Sequence, residues 1–177
     1  MIQNSLNAFA QNVSKDWGPP SAEVISAVRG HMEMLLQAPA EEWLQCLHRG
    51  APSNSELLRD PRHGFVLQAH TEPTGLYRSP HDHGRSWVIY AVREGESEMG
   101  TYGRVVNADG TVRLVKRGST RVRAGQVQVY LPGDIHDTRC IAGPALLFRF
   151  TERDLKKEDR AHKLTRFVER NGVWVAP

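Results

Sequence analysis

The stretch YRSPHDHGRSWVIYAVREG, Tyr77–Gly95, decides how this chain is read. Two histidines, His81 and His83, stand one residue apart and run straight into bulky, mostly apolar residues. Along an extended chain residues i and i+2 share a side, so both imidazoles point the same way, spaced to grip one metal ion. A polar loop with two histidines facing water has the same pattern. The rest of the chain has to choose between them.

Around this stretch the chain reads as strands. FVLQAHTEP, WVIYAVREG, SEMGTYGRVV, TVRLVKRG, STRVRAGQVQVYLPG, TRCIAG and ALLFRFTER are short, strand-like runs parted by Gly, Pro, Asn and Asp. Asp109-Gly110 is a strong hairpin signal. Runs at such regular intervals predict a closed or sandwiched antiparallel sheet. Upstream, SAEVISAVRGHMEMLLQ spaces Val24, Ile25, Val28, Met32, Leu35 and Leu36 as a helix does, with Ser21 as its cap and Pro39 as its stop. PAEEWLQCLHRG predicts a second, shorter helix ending at Gly50. APSNSELLRDPRHG reads as a turn-rich bridge with a short helical piece. The expected organisation is a helical segment, 1–62, packed on a barrel, 63–177, as one structural domain. The charged tail is expected to be partly helical, with VWVAP as a last strand.

Composition narrows the function. Of 177 residues 40% are hydrophobic and 24% charged, an ordinary globular mixture able to bury a core. A formal charge of +3 with scattered arginines argues against nucleic-acid binding and leaves small anionic ligands open. No apolar run reaches the ~18 residues of a membrane span. No basic segment followed by an apolar core opens the chain, so a secretory signal is not expected. Cys46 and Cys140 are far apart and in no CxxC pair, which fits free thiols in a reducing cytoplasm. A monomer and a homodimer both remain open.

A third histidine arrives in VQVYLPGDIHDTRC. Pro132-Gly133 sets a tight turn, and His136 follows at the start of a strand, from which a barrel can aim it inward. The two histidine segments together resemble the two motifs of the cupins. Gly75, five residues, His81-Asp82-His83 and Gly95 match the first motif. Gly125, the run QVQVYL, Pro132-Gly133 and His136 match the second, with one residue shifted and Cys140 where Asn is usual. The likeness spans about residues 65 to 150 and implies a cupin-type double-stranded β-helix, a jelly-roll barrel, behind a helical N-terminal preface.

The resemblance also implies chemistry. Most cupins add a glutamate ligand where this chain has Val88, so the implied ligand set is His81, His83 and His136. Three imidazoles suit zinc, iron, copper or nickel. Three-histidine cupins resemble the thiol dioxygenases, and the first motif here is similar to that of the cysteine and 3-mercaptopropionate dioxygenases. The implied cofactor is Fe(II), with Zn or Ni as other divalent candidates. The implied partners are O2 and a small anionic thiol acid. A three-histidine dioxygenase that cleaves a diketone, and a ligand-binding cupin without turnover, are the alternatives. That family pins its substrate carboxylate with an arginine; Arg59, Arg62 and Arg78 are the candidates. Its Ser-x-His-x-Tyr triplet has no counterpart in ALLFRFTER, where Phe148 and Phe150 stand instead. Tyr90 and Tyr102 are the candidates for its proton-handling role.

Overall fold

The computed structural model describes residues 4–39, 41–50 and 52–177; Ala40, in the stretch read as the second helix, lies outside them. Among the described residues three helices come first, α1 (Ser5–Asp16), α2 (Ala22–Leu36) and α3 (Glu42–His48). The strands that follow are β1 (Asn54–Arg59), β2 (Val66–Glu72), β3 (Tyr77–His81), β4 (Val88–Val106), β5 (Val112–Arg123), β6 (Val127–Tyr130), β7 (Ile135–Thr151), β8 (Val168–Arg170) and β9 (Val173–Val175). A short helix, α4 (Leu155–Arg160), lies between β7 and β8. The strands form one antiparallel sheet, curled into a half-barrel, so the chain is mainly β as expected.

The frame is a pair of long strands. β4 and β7 pair along most of their length. The C-terminal half of β7 also pairs with β2, and its N-terminal half with β3. The separate runs WVIYAVREG and SEMGTYGRVV join in β4, and TRCIAG and ALLFRFTER join in β7, each across a glycine. The glycines are bends within continuous strands. Gly95 has φ +79°, and a Cβ there would stand 2.4 Å from the Ala142 carbonyl oxygen, so only glycine lets the two strands close at this bend.

Two expectations change. The bridge read as partly helical holds β1, which pairs with β2: its residues gain a neighbouring strand edge that local propensity does not reveal. An additional helix, α1, precedes the one predicted. It fully buries Phe9 and Val13, four residues apart, with Leu6 packed beside them, and is capped by Asn4, which accepts a hydrogen bond from the Asn7 amide at 2.9 Å. α2 keeps its predicted Ser21 cap, which accepts from the Val24 amide at 3.3 Å. At its other end Arg93 of β4 donates to the carbonyls of Leu36 and Ala38, tying the helix to the sheet. No helix among the described residues is long and apolar enough to cross a membrane.

Alternation sorts the sheet's two faces. Leu67 and Ala69 of β2, Ile89 and Ala91 of β4, and Phe148 and Phe150 of β7 join the core that the helices cover. Trp17 lies against Phe65, Trp87 and Phe150 there. The alternate residues, Val88, Tyr90, Val92 and Leu147, join a second cluster with Tyr130 on the concave side. That side holds the histidines.

Candidate metal centre

His81 is the last residue of β3 and His136 the second of β7, and the two are direct cross-strand partners. Such a pair puts both side chains on one face; the ring centroids are 4.7 Å apart. His83 lies just past the strand end, so its position comes from a turn and not from simple alternation. Asp82 holds that turn. Its carboxylate accepts from the amides of Gly84 and Thr165 at 3.1 and 2.8 Å and from Arg104 at 2.5 Å. The acidic residue between the two histidines is thus a loop clamp aimed at the C-terminal segment.

The three histidines converge. One ligand atom from each lies within 4.8 Å of the others. Nε2 of His83 and Nε2 of His136 are 3.3 Å apart. Two nitrogens bound to one ion at about 2.0–2.1 Å each would be separated by about 3.0–3.4 Å, so the spacing fits neighbouring ligands. His81 Nδ1 donates to the Ser79 carbonyl at 2.8 Å, leaving Nε2 as its free lone pair. Tyr130 stacks on His136 with centroids 3.9 Å apart. His83 and His136 are 1% and 0% exposed, and their Nδ1 atoms are buried without a partner.

Electrostatics favours neutral rings. Burial pushes the pKa of His81 below its ordinary value, opposed by the Ser79 carbonyl and assisted by Arg149, Arg166 and Arg78. Burial pushes His83 and His136 well below, with a further push from neighbouring rings and from Arg149. A neutral imidazole is the form that ligates metal. No acidic side chain belongs to the group, and Val88 packs into the apolar cluster beside Tyr90. His81 and His83 line a cavity of about 470 Å3, and His136 converges with them as the third neutral ring of a group that can hold a metal ion.

The other expected site residues divide. The Tyr90 hydroxyl is 3.3 Å from His83 Nε2, and burial raises its pKa. Arg78 lines the cavity and pairs with Glu72 at 3.0 Å. Arg59 reaches the rim, where it pairs with Glu56 and Asp154, both at 2.7 Å. Arg62 is exposed in a turn, its amide donating to Asp60, and does not line the cavity. Tyr102 is also away from it, its hydroxyl 2.5 Å from Asp137, an acceptor it shares with Tyr77 at 3.1 Å. Residue 102 belongs to the distal half of β4, beyond the Gly95 bend, which separates it from Tyr90.

Three polar residues missing from the sequence expectations face the same space: Arg149, Gln68 and His70. The signal for Arg149 lies in the alternation of ALLFRFTER, where it stands between Phe148 and Phe150. Those two belong to the helix-covered face. In a strand the odd-numbered neighbours must then face the cavity.

No family model and no curated protein sequence matches the chain. Among solved structures it is similar to the cupin domain of Schizosaccharomyces pombe Cnp3, with 15% identity over 62% of this chain and 66% of that one, at a TM-score of 0.44. It is similar to KdgF from Halomonas sp., with 19% identity over 60% and 87% and a TM-score of 0.45. An oxalate oxidase aligns with 24% identity over 51% and 42% and a TM-score of 0.39. The chain spans less than two thirds of the Cnp3 domain and of the oxalate oxidase.

Proposed function

We propose that this chain is a mononuclear iron oxygenase that uses O2 to oxidise a small anionic substrate, a thiol-bearing acid such as cysteine or 3-mercaptopropionate. The observation that carries the reading is a set of three converging histidines with no acidic member. His81, His83 and His136 would hold Fe(II), which when bound supplies the centre where oxygen is activated. Three neutral ligands leave the ion's full charge uncompensated inside a partly buried cavity, and an anion relieves that cost better than a neutral molecule does. A thiol meets the requirement because a neighbouring cation stabilises its thiolate.

The chain's own groups have simpler tasks. Tyr90, kept in its neutral form by burial and 3.3 Å from His83, has a hydroxyl placed to donate a hydrogen bond or a proton to a group held beside the histidines. Tyr130 fixes the plane of the His136 ring.

The test is metal analysis of freshly purified protein, followed by oxygen uptake after anaerobic Fe(II) loading. Uptake with cysteine or 3-mercaptopropionate, absent in His83→Ala, is the expected result. Uptake with a diketone alone overturns the thiol assignment, and tight ligand binding with no uptake overturns the oxygenase.

A further inference from the structure

The loop that carries His83 is not held by the sheet alone. β3 ends at His81 and β4 begins at Val88, so residues 82–87 lie outside both strands. The C-terminal segment, residues 155–167, grips this loop in two places. The first grip is a short ribbon. The Phe167 amide donates to the Pro80 carbonyl at 2.9 Å, the Asp82 amide donates to the Thr165 carbonyl at 3.0 Å, and His81 and Arg166 bridge as an antiparallel pair. The Asp82 side chain closes the ribbon: Oδ1 accepts from the Thr165 and Gly84 amides, and Oδ2 accepts from Arg104.

The second grip is Glu158 of α4, which is buried although it is a carboxylate. It accepts from the Arg85 amide at 3.2 Å and from Arg85 Nε and Nη2 at 3.1 and 2.9 Å. Between the grips stands Gly84, with φ +63°. A Cβ there would lie 3.0 Å from both Glu158 Oε2 and the Lys163 carbonyl oxygen, so glycine is what lets loop and segment approach. Asp82 and Arg85 thus hold His83 from both sides along the chain, and neither belongs to the converging group. The same segment bounds the cavity: Leu155, Lys156, Asp159, Leu164 and Arg166 line it with His81 and His83. Freeing the segment strips the buried Asp82 and Glu158 oxygens of their donors, a cost that ties its position to that of the loop.

We infer that Asp82 and Glu158 are positioning residues for the metal centre, and that docking of residues 155–167 is coupled to metal binding by His81, His83 and His136. The coupling rests on the metal-centre reading above; the two grips do not. Groups that orient ligands without touching the metal are worth about 10–100-fold in metal affinity. Coupling is also reciprocal: whatever factor the docked segment adds to metal affinity, bound metal adds to docking.

The test begins on metal-free protein, where amide hydrogen exchange is followed at the donors of the two grips. Exchange at Thr165 and Phe167 should quicken about tenfold or more in Asp82→Ala, and exchange at Arg85 likewise in Glu158→Ala. Unchanged exchange in both variants overturns the grips. The second arm adds metal. Zn(II) affinity, read by competition with a chromophoric chelator, should fall about tenfold or more in either variant. Asp82→Asn, which keeps an oxygen for the Thr165 and Gly84 amides, should recover most of that loss. The Co(II) absorption bands should shift in Asp82→Ala and return toward the wild-type positions in Asp82→Asn. Saturating Zn(II) should slow exchange at Thr165 and Phe167 in the wild type about tenfold or more. A wild type that takes up neither metal overturns the metal-centre reading and the coupling with it, and the first arm still reads the grips. A wild type that binds metal, with affinity and bands unmoved by Asp82→Ala and Glu158→Ala, overturns the positioning role alone. Metal binding that leaves Thr165 and Phe167 exchange unchanged overturns the coupling. If Asp82→Ala does not fold, Glu158→Ala, altered on α4 outside the sheet, decides the same points.

Discussion

On the convex face the curled sheet packs Phe65, Trp87, Phe148 and Phe150 against Trp17 and the helices. On the concave face the same strands carry His81, His83 and His136 with Tyr90, Gln68, His70 and Arg149. The first face is apolar and closely packed. The second leaves ring nitrogens of His70, His83 and His136 and the Arg149 Nε buried without partners. Single strands serve both: β7 sends Phe148 and Phe150 one way and Arg149 the other. Stability accumulates where the partners are within the chain. Chemistry is possible where polar groups have been left for something that binds.

The comparison can be broken in order of expected effect. Phe150→Ala strikes the packed face and should cost about 3–5 kcal/mol by urea denaturation, since it removes a fully buried ring and leaves a cavity. The folded fraction should still take up metal. A variant that loses metal binding while keeping its stability would show the two faces to be coupled.

His83→Ala strikes the other face. Removing a ligand should weaken metal binding by more than about 100-fold, beyond the range for outer-shell partners. The metal-free protein should lose little stability, because the change also removes a buried ring nitrogen that had no partner. Competition with a chromophoric chelator reads the first quantity and urea denaturation the second. A large loss of metal-free stability would make His83 a packing residue.

His70 sharpens the comparison through pH. Burial first, and the fields of Arg149 and Arg78 after it, push its pKa down to about 3. The unfolded chain, with an ordinary histidine pKa near ~6.5, therefore binds a proton that the folded chain refuses. The stability associated with neutral His70 is fully present above about pH 6.5 and is lost as pH falls toward 3, at up to about 1.4 kcal/mol per pH unit. Unfolding curves of metal-free wild type and His70→Gln between pH 7 and 5 should diverge, the variant losing less stability. Parallel curves would mean that His70 accepts its proton while folded.

The smallest effect is expected from Arg62→Ala. Arg62 is exposed in a turn and does not line the cavity, so stability should stay within about 0.5 kcal/mol and metal uptake should not change. A measurable loss of either would return Arg62 to the site.

The local chemistry of the chain determined much of this by itself. Alternating runs, the Pro132-Gly133 turn and the paired histidine segments were enough for a mainly β chain behind helices, because hydrophobic period, turn residues and spacing are local properties. The set His81, His83 and His136 came from the resemblance of the two histidine segments to the cupin motifs, and the fold brings the three side chains together. Only the tertiary structure decided which neighbours meet. Asp82 was revealed as a loop clamp by Thr165 and Arg104, Tyr102 was carried to Asp137, and β1 was made a strand by pairing with β2. Arg149 shows the reason most plainly. A one-residue change of parity exchanges the core for the cavity, and parity is set by which strands lie alongside β7 and by the helices covering one side of it. Those contacts join residues far apart in the chain, and no local pattern contains them.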